Sequence, residues 1–178
     1  MRSTGEVMGI DEDFGTAFMK SQLAADNALP RTGAVFITVN DSDKPSAAKL
    51  AARFHELGFT LYATSGTAAY LRDRDIPVQS VLKVSEGRPH GVDMILNGEI
   101  QLLVNTPLGK NAQVDDERLR QAAISNRVPY TTTLSAASAA AEAIAARQSR
   151  EPGVRSLQEW HVILAASLAA SAATVGAA

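Results

Sequence analysis

From Gly33 onward the chain alternates short apolar runs with helix-forming stretches, and this alternation restricts it to one broad architecture. Gly33 to Val39 is a continuous β-branched and apolar run, which predicts a strand buried on both faces. Asn40-Asp41-Ser42-Asp43 supplies turn and N-cap side chains. Pro45 to Leu57 predicts a helix with an inner stripe of Ala47, Leu50, Ala51, Phe54 and Leu57, ended by Gly58. The pattern then repeats. Phe59 to Ala63 reads as a second strand, Thr67 to Asp73 as a short helix and Pro77 to Val81 as a third strand. Gly91 to Asn97 reads as a short helix closed by Gly98, and Gln101 to Val104 as a fourth strand. Asp115 to Asn126 predicts a helix with acidic residues in its first turn, and Val128 to Thr131 a short fifth strand. Leu134 to Gln148 is an Ala-rich helix broken by Glu151-Pro152-Gly153, and Ser156 to Ile163 fits a strand or a helix. Ahead of the alternation, residues 1–10 read as a loop. Residues 11–24 read as a helix with Phe14, Ala17, Phe18 and Leu23 on one stripe.

Strand–helix alternation with connections of this length implies an α/β fold. Its core is a parallel sheet of about five strands with helices on both faces, Rossmann-like in its winding. At 178 residues the expected organisation is an N-terminal segment with a linker helix over 1–30, one α/β domain over 31–163 and an Ala-rich tail over 164–178. Hydrophobic residues make up 46% of the chain but aromatics only 5%, so the core must be aliphatic and built on Ala-rich helices. A net charge of -2 without any basic excess argues against nucleic acid as a partner. The absence of Cys removes disulfides and thiolate metal sites, and His55, His90 and His161 lack metal-ligand spacing, so no metal is expected. The N-terminus shows no signal-peptide pattern. The apolar end, Val162 to Ala178, is mostly Ala and Ser and short of a membrane span, so no membrane partner is expected and the cytoplasm is the expected location.

Ligands of such folds sit outside the carboxyl ends of the strands. That rule gathers residues from distant parts of the chain. Lys44 follows strand one, Thr64 and Thr67 follow strand two, and Lys83 follows strand three. Asn105, Thr106 and Lys110 follow strand four, and Thr131, Thr132 and Thr133 follow strand five. In Thr64-Ser65-Gly66-Thr67 a strand passes through hydroxyls and a Gly into a helix N-terminus, an arrangement suited to phosphate or carboxylate. Lysines are scarce, only Lys20, Lys44, Lys49, Lys83 and Lys110, and three of the five fall on this one edge. Two ammonium groups and two Thr hydroxyls make a phosphate site from point charges and dipoles. Asn105 offers a donor and an acceptor to a ribose hydroxyl or a base edge. Asp115, Asp116 and Glu117 are better explained as helix-start residues than as paired catalytic acids.

These residues carry a resemblance. Ser3-Thr4-Gly5-Glu6-Val7-Met8-Gly9 resembles the junction after the second synthetase half of the carbamoyl phosphate synthase large subunit. Ala63 to Ala68, Lys83 to His90, Val104-Asn105-Thr106-Pro107 and Tyr130-Thr131-Thr132-Thr133-Leu134 resemble successive signatures of its C-terminal allosteric domain. The resemblance runs from about Ser3 to Ile163, and the motifs are specific as an ordered set rather than singly. It implies a methylglyoxal-synthase-like fold and an effector site for a nucleoside monophosphate, with UMP inhibiting and IMP activating in bacterial members. It assigns effector phosphate to Lys44, Thr64, Thr67 and Lys83, and the ribose side to Asn105, while Pro107 stands where the family has a second ribose-side Thr. Thr106 and Lys110 complete the expected ribose and base side, and Thr132 matches a threonine of the family's ornithine site. The resemblance also implies synthetase domains and a glutaminase small subunit as partners, self-association, and a role in pyrimidine and arginine biosynthesis. No cofactor is expected here, since Mg and ATP belong to the synthetase domains.

Two alternatives share the fold class. Methylglyoxal synthase needs a carboxylate base near the substrate carbons, yet the loop Asn105 to Asn111 contains no acid before Asp115. The cyclohydrolase domain of purine biosynthesis shares a Gly-Thr-Ala turn, but the Ser3 to Gly9 junction and the Lys83 loop favour carbamoyl phosphate synthase. The chain by itself is expected to be a non-catalytic binding module.

Overall fold

The computed structural model describes residues 2–3, 6–106 and 109–175, with side chains at 6–106 and 114–167. Two short strands, β1 (Arg2–Ser3) and β2 (Glu6–Val7), pair antiparallel where the sequence suggested only a loop. Helix α1 (Phe14–Ala24) follows, capped by the Asp13 carboxylate, which accepts from the Thr16 N–H at 2.8 Å.

The main sheet is built from β3 (Ala34–Thr38), β4 (Thr60–Thr64), β5 (Gln79–Val81), β6 (Leu102–Asn105) and β7 (Tyr130–Thr131). Its order is β5-β4-β3-β6-β7, and every pairing is parallel. The helices between them are α2 (Lys44–Glu56), α3 (Ser65–Arg72), α4 (Gly91–Leu96), α5 (Gly109–Ser125), α6 (Leu134–Ser149) and, last, α7 (Leu157–Val175). The expected α/β class, a five-stranded parallel sheet under helices on both faces, is the fold observed.

Strand periodicity divides the core. Val35, Ile37, Leu61, Ala63, Leu102 and Val104 face α2, α3 and α6, while Ala34, Phe36 and Leu103 face α4 and α5. The α2 stripe is as expected: Ala47, Ala51 and Phe54 are fully buried. Burial of a side chain such as Phe54 contributes about 3 kcal/mol. Gly58 ends α2 at φ +85°, donating to His55 O at 2.9 Å while Phe59 N donates to Phe54 O at 3.1 Å. That pair of bonds is a Schellman stop, and only a residue at ease with positive φ completes it.

Three boundaries depart from the sequence pattern. Helix α5 begins at Gly109, six residues before Asp115, so Asp115 and Asp116 are interior to the helix and not its first turn. Acidic residues mark a favourable helix start, but Ala112 and Gln113 are good helix formers and the helix extends back through them. Helix α3 begins at Ser65, so the Gly66-Thr67 turn is already its first turn. The stretch from Ser156 is helical and runs on into the Ala-rich tail.

The N-terminal segment packs on the C-terminal helices. Arg150 binds Asp11 at 2.9 Å, and also Asp13 and the Thr16 hydroxyl. Arg155 pairs with Glu12 at 2.8 Å, and Arg31 with Glu151 at 2.8 Å. Arg147 donates to Leu29 O at 2.7 Å, and Lys20 pairs with Asp11 at 2.7 Å. The nearly buried Trp160 ring lies under the cations of both Arg155 and Lys20.

Candidate functional site

The chain reverses direction across the sheet between β3 and β6, because the segments after β3 build one half and those after β6 the other. A crevice opens at the carboxyl end of such a switch point. Thr38 pairs with Asn105 across it, and Thr106 N donates to Thr38 O at 3.1 Å.

On one side, β4 ends at Thr64 and α3 starts in the next residue. Thr64 is the N-cap, but its side chain makes no capping bond to the helix. The first-turn N–H groups of α3 therefore have no side-chain cap, and the positive end of the helix dipole meets the crevice. The Thr64 and Thr67 hydroxyls are buried, and the contacts of Thr64 Oγ1 to Thr67 Oγ1 and Thr38 Oγ1 are both 3.5 Å. Those separations exceed the usual range for hydroxyl hydrogen bonds, so most of the polar capacity of these groups is unspent.

Lys44, the first residue of α2, closes the corner. A methyl group placed on Gly66 would lie 3.5 Å from Lys44 Nζ, so the ammonium stands directly over the α3 turn. Lys44 Nζ also lies 2.7 Å from Asp41 Oδ1. Lys83 follows β5, and its Nζ is 3.9 Å from Glu86 Oε1, while Glu86 Oε2 accepts from the Lys83 N–H at 3.0 Å. The Asp41 carboxyl is held below the usual aspartate range, first by its hydrogen bond from Lys44, then by the Lys44 charge, with the Lys83 charge adding to both. Lys44 thus acts on Asp41 by direct contact, and Lys83, on the loop after β5, by charge alone.

On the other side of the switch point, Asn105 is buried, and its Oδ1 accepts no hydrogen bond among the described residues. A buried amide oxygen without a partner costs about 1–3 kcal/mol. Thr106 is committed to the scaffold: its Oγ1 accepts from Asn40 N at 3.2 Å, and Asn40 Oδ1 accepts from Asp43 N at 2.9 Å to cap the single 3-10 turn Asp41–Asp43.

Residues 46–132 match the family model described as MGS-like domain. The carbamoyl phosphate synthase large chain of Gemmatimonas aurantiaca is 76% identical over 176 residues, covering 99% of this chain and 16% of that relative. The C-terminal section of the same large chain from Aquifex aeolicus is 51% identical over 168 residues, covering 92% of this chain and 31% of the relative. The Methanosarcina acetivorans large chain is 44% identical over 162 residues, covering 90% of this chain and 15% of its own length. The chain contains an MGS-like domain over residues 46–132, and its relatives are carbamoyl phosphate synthase large chains. It spans less than a third of the length of these relatives.

The remaining expected site residues of the MGS-like domain divide into three groups. Lys44, Thr64 and Thr67 meet at one corner, while Lys83 stands on the next loop beside Glu86. Thr132 is apart from them, lining a cavity of about 260 Å³ between α1 and α6 with Phe18, Gln22, Asn27 and Tyr130. Beside it, the Thr131 hydroxyl is buried and has no partner among the described residues. Pro107 and the Lys110 side chain lie outside the described residues.

Three residues play parts that the sequence did not disclose. His90 is buried in a capping box: its Nδ1 accepts from Asp93 N at 3.3 Å, and Asp93 Oδ2 accepts from His90 N at 3.1 Å. Asp115 Oδ2 accepts from the Ser85 hydroxyl at 2.8 Å and the Ser85 N–H at 3.2 Å, tying the Lys83 loop to α5. Asp41 is the third residue missed, since its place in a turn cluster concealed the i,i+3 spacing to Lys44.

Proposed function

We propose that this MGS-like domain binds a nucleoside monophosphate of the UMP or IMP type at the carboxyl edge of its sheet, and through it regulates a carbamoyl phosphate synthase. The observation that carries the reading is the Lys44 ammonium poised over the uncapped N-terminus of α3, above the buried Thr64 and Thr67 hydroxyls. A terminal phosphate there would receive first-turn N–H groups, two hydroxyls, Lys44 and, from the next loop, Lys83. Asn105 would supply its unpartnered acceptor to the ribose, and the ribose and base side would also draw on Thr106 and Lys110. Relatives named as carbamoyl phosphate synthase large chains support the regulatory setting.

In that setting Thr132 contributes to an ornithine site whose acidic ligands come from a synthetase domain. The partners are the synthetase domains, which hold Mg and ATP, the glutaminase small subunit and a second copy of this domain. The setting is cytoplasmic supply of carbamoyl phosphate to pyrimidine and arginine synthesis. Among the described residues no helix is long and apolar enough to cross a membrane.

Thermal unfolding in the presence of UMP, IMP and ornithine tests the reading. A ligand at 100 times its dissociation constant adds about 2.7 kcal/mol, so UMP or IMP should raise the melting temperature while ornithine leaves it flat. A flat profile across millimolar UMP and IMP would remove the nucleotide reading.

A further inference from the structure

The phosphate corner already contains a carboxylate. Asp41 Oδ1 sits 2.7 Å from Lys44 Nζ, and the charge of Lys83 also reaches Asp41. The exposures of the pair are unequal: the Asp41 side chain is 93% exposed and that of Lys44 only 18%. Lys44 is therefore the fixed member and Asp41 the one able to turn away into water. Among the described residues, Lys44 is the one hydrogen-bond partner of the Asp41 carboxylate. The 3-10 turn is capped by Asn40, and Asp43 is the acid that receives the Asn40 amide, at 2.7 Å. Glu86 differs from Asp41, because it accepts a backbone N–H and so shapes the Lys83 loop.

We infer that Asp41 is an internal competitor for the effector phosphate, occupying Lys44 in the free domain and leaving it when a phosphate arrives. The inference rests on the nucleotide reading above and deepens it by naming a residue that sets the affinity threshold of that site. An ion pair whose carboxylate stands almost wholly in water contributes little, so a phosphate dianion with several partners displaces it readily. A carboxylate left near the bound dianion adds like-charge repulsion. Both effects weaken binding, and both act on the phosphate alone. The resting lysine is meanwhile neutralised, which makes the empty corner a poor trap for stray monoanions.

Calorimetric titration of the whole chain with UMP, inorganic phosphate and uridine tests this in three proteins: wild type, Asp41→Asn and Glu56→Gln. Glu56 ends α2 at the opposite edge of the sheet, so its variant carries the same change of net charge away from the corner. Asp41→Asn should bind UMP and inorganic phosphate about two- to tenfold more tightly than wild type. Uridine should be unaffected, and Glu56→Gln should behave as wild type. If wild type binds UMP but Asp41→Asn binds it equally or more weakly, the competitor role is overturned and the nucleotide reading survives. An equal gain for uridine, or in Glu56→Gln, also overturns it, since the effect would then not be competition for phosphate. No binding of UMP or phosphate by either wild type or Asp41→Asn overturns both readings together.

Discussion

Two regions of this domain concentrate charge, and they use it in opposite ways. Around α1, each acid has a cation and each cation has more than one partner: Arg150 serves Asp11, Asp13 and Thr16, and Lys20 serves Asp11, the Ile10 carbonyl and the Trp160 ring. At the carboxyl edge of the sheet, groups of equal polarity are left under-used. The Thr64 hydroxyl makes only long contacts, the Asn105 oxygen makes none among the described residues, and Lys44 is answered by a carboxylate almost wholly in water. The first region is saturated and serves the fold. The second carries unspent bonding capacity, which a fold retains where a ligand supplies the missing partners. Charge density alone does not distinguish a clamp from a binding site; the degree of satisfaction does.

Three experiments would break or sharpen this contrast. The largest effect belongs to Lys44→Ala. Loss of a charge-assisted bond costs about 1.5–3 kcal/mol, so affinity for a nucleoside monophosphate should drop tenfold or more by calorimetry. The melting temperature without ligand should scarcely move, because the partner lost, Asp41, is almost wholly in water. A large fall in stability would make Lys44 part of the clamp class.

Arg150→Ala reverses the pattern. Its network of two ion pairs and a hydroxyl should contribute about 1–2 kcal/mol, lost in denaturant unfolding, while UMP affinity remains unchanged. An equal loss of affinity would show that the two regions are not independent.

The smallest effect is acid sensitivity. Burial opposes ionisation of Asp11, but the Lys20 hydrogen bond, the Glu12 N–H and the charges of Lys20 and Arg150 outweigh it. Asp13 is lowered by the Thr16 backbone and side-chain hydrogen bonds, with Arg150 adding its charge. Both carboxyls are thus depressed in the folded state. Their stabilisation is complete above the unfolded aspartate value of about 3.9 and is lost as pH falls below it. Melting curves between pH 5 and pH 3 should show wild type losing more than Arg150→Ala, by a few tenths of a kcal/mol up to about 1. Parallel curves would remove Arg150 from the account.

Much of the scaffold was legible because local and global signals agree. The α2 stripe, its Gly58 stop and the buried run of β3 each state one structure. Strand alternation then located the edge where Lys44, Thr64, Thr67 and Lys83 gather, since a parallel sheet fixes which loops are neighbours. The start of α5 was not legible, because acidic residues mark a favoured start without forbidding an earlier one. The partners of His90, Asp41 and Asp115 were hidden for another reason. Capping, competing and latching are relations between side chains, and the 30-residue separation of Ser85 from Asp115 leaves no trace in local pattern. Thr106 illustrates the same point, being a candidate ligand contact by position whose hydroxyl is used to fix the Asn40 turn.

The order β5-β4-β3-β6-β7 has a consequence for how this corner comes into being. Its phosphate side is written in residues 44 to 83 and its other wall begins at Asn105, so the two halves meet only when β6 docks beside β3. A chain halted before that docking has lysines and threonines but no crevice. Ligand occupancy is therefore a report on completed assembly. Bound effector should slow amide exchange throughout β3, β4 and β6 together, as a global opening would be suppressed, and not only in the α3 turn that the phosphate touches.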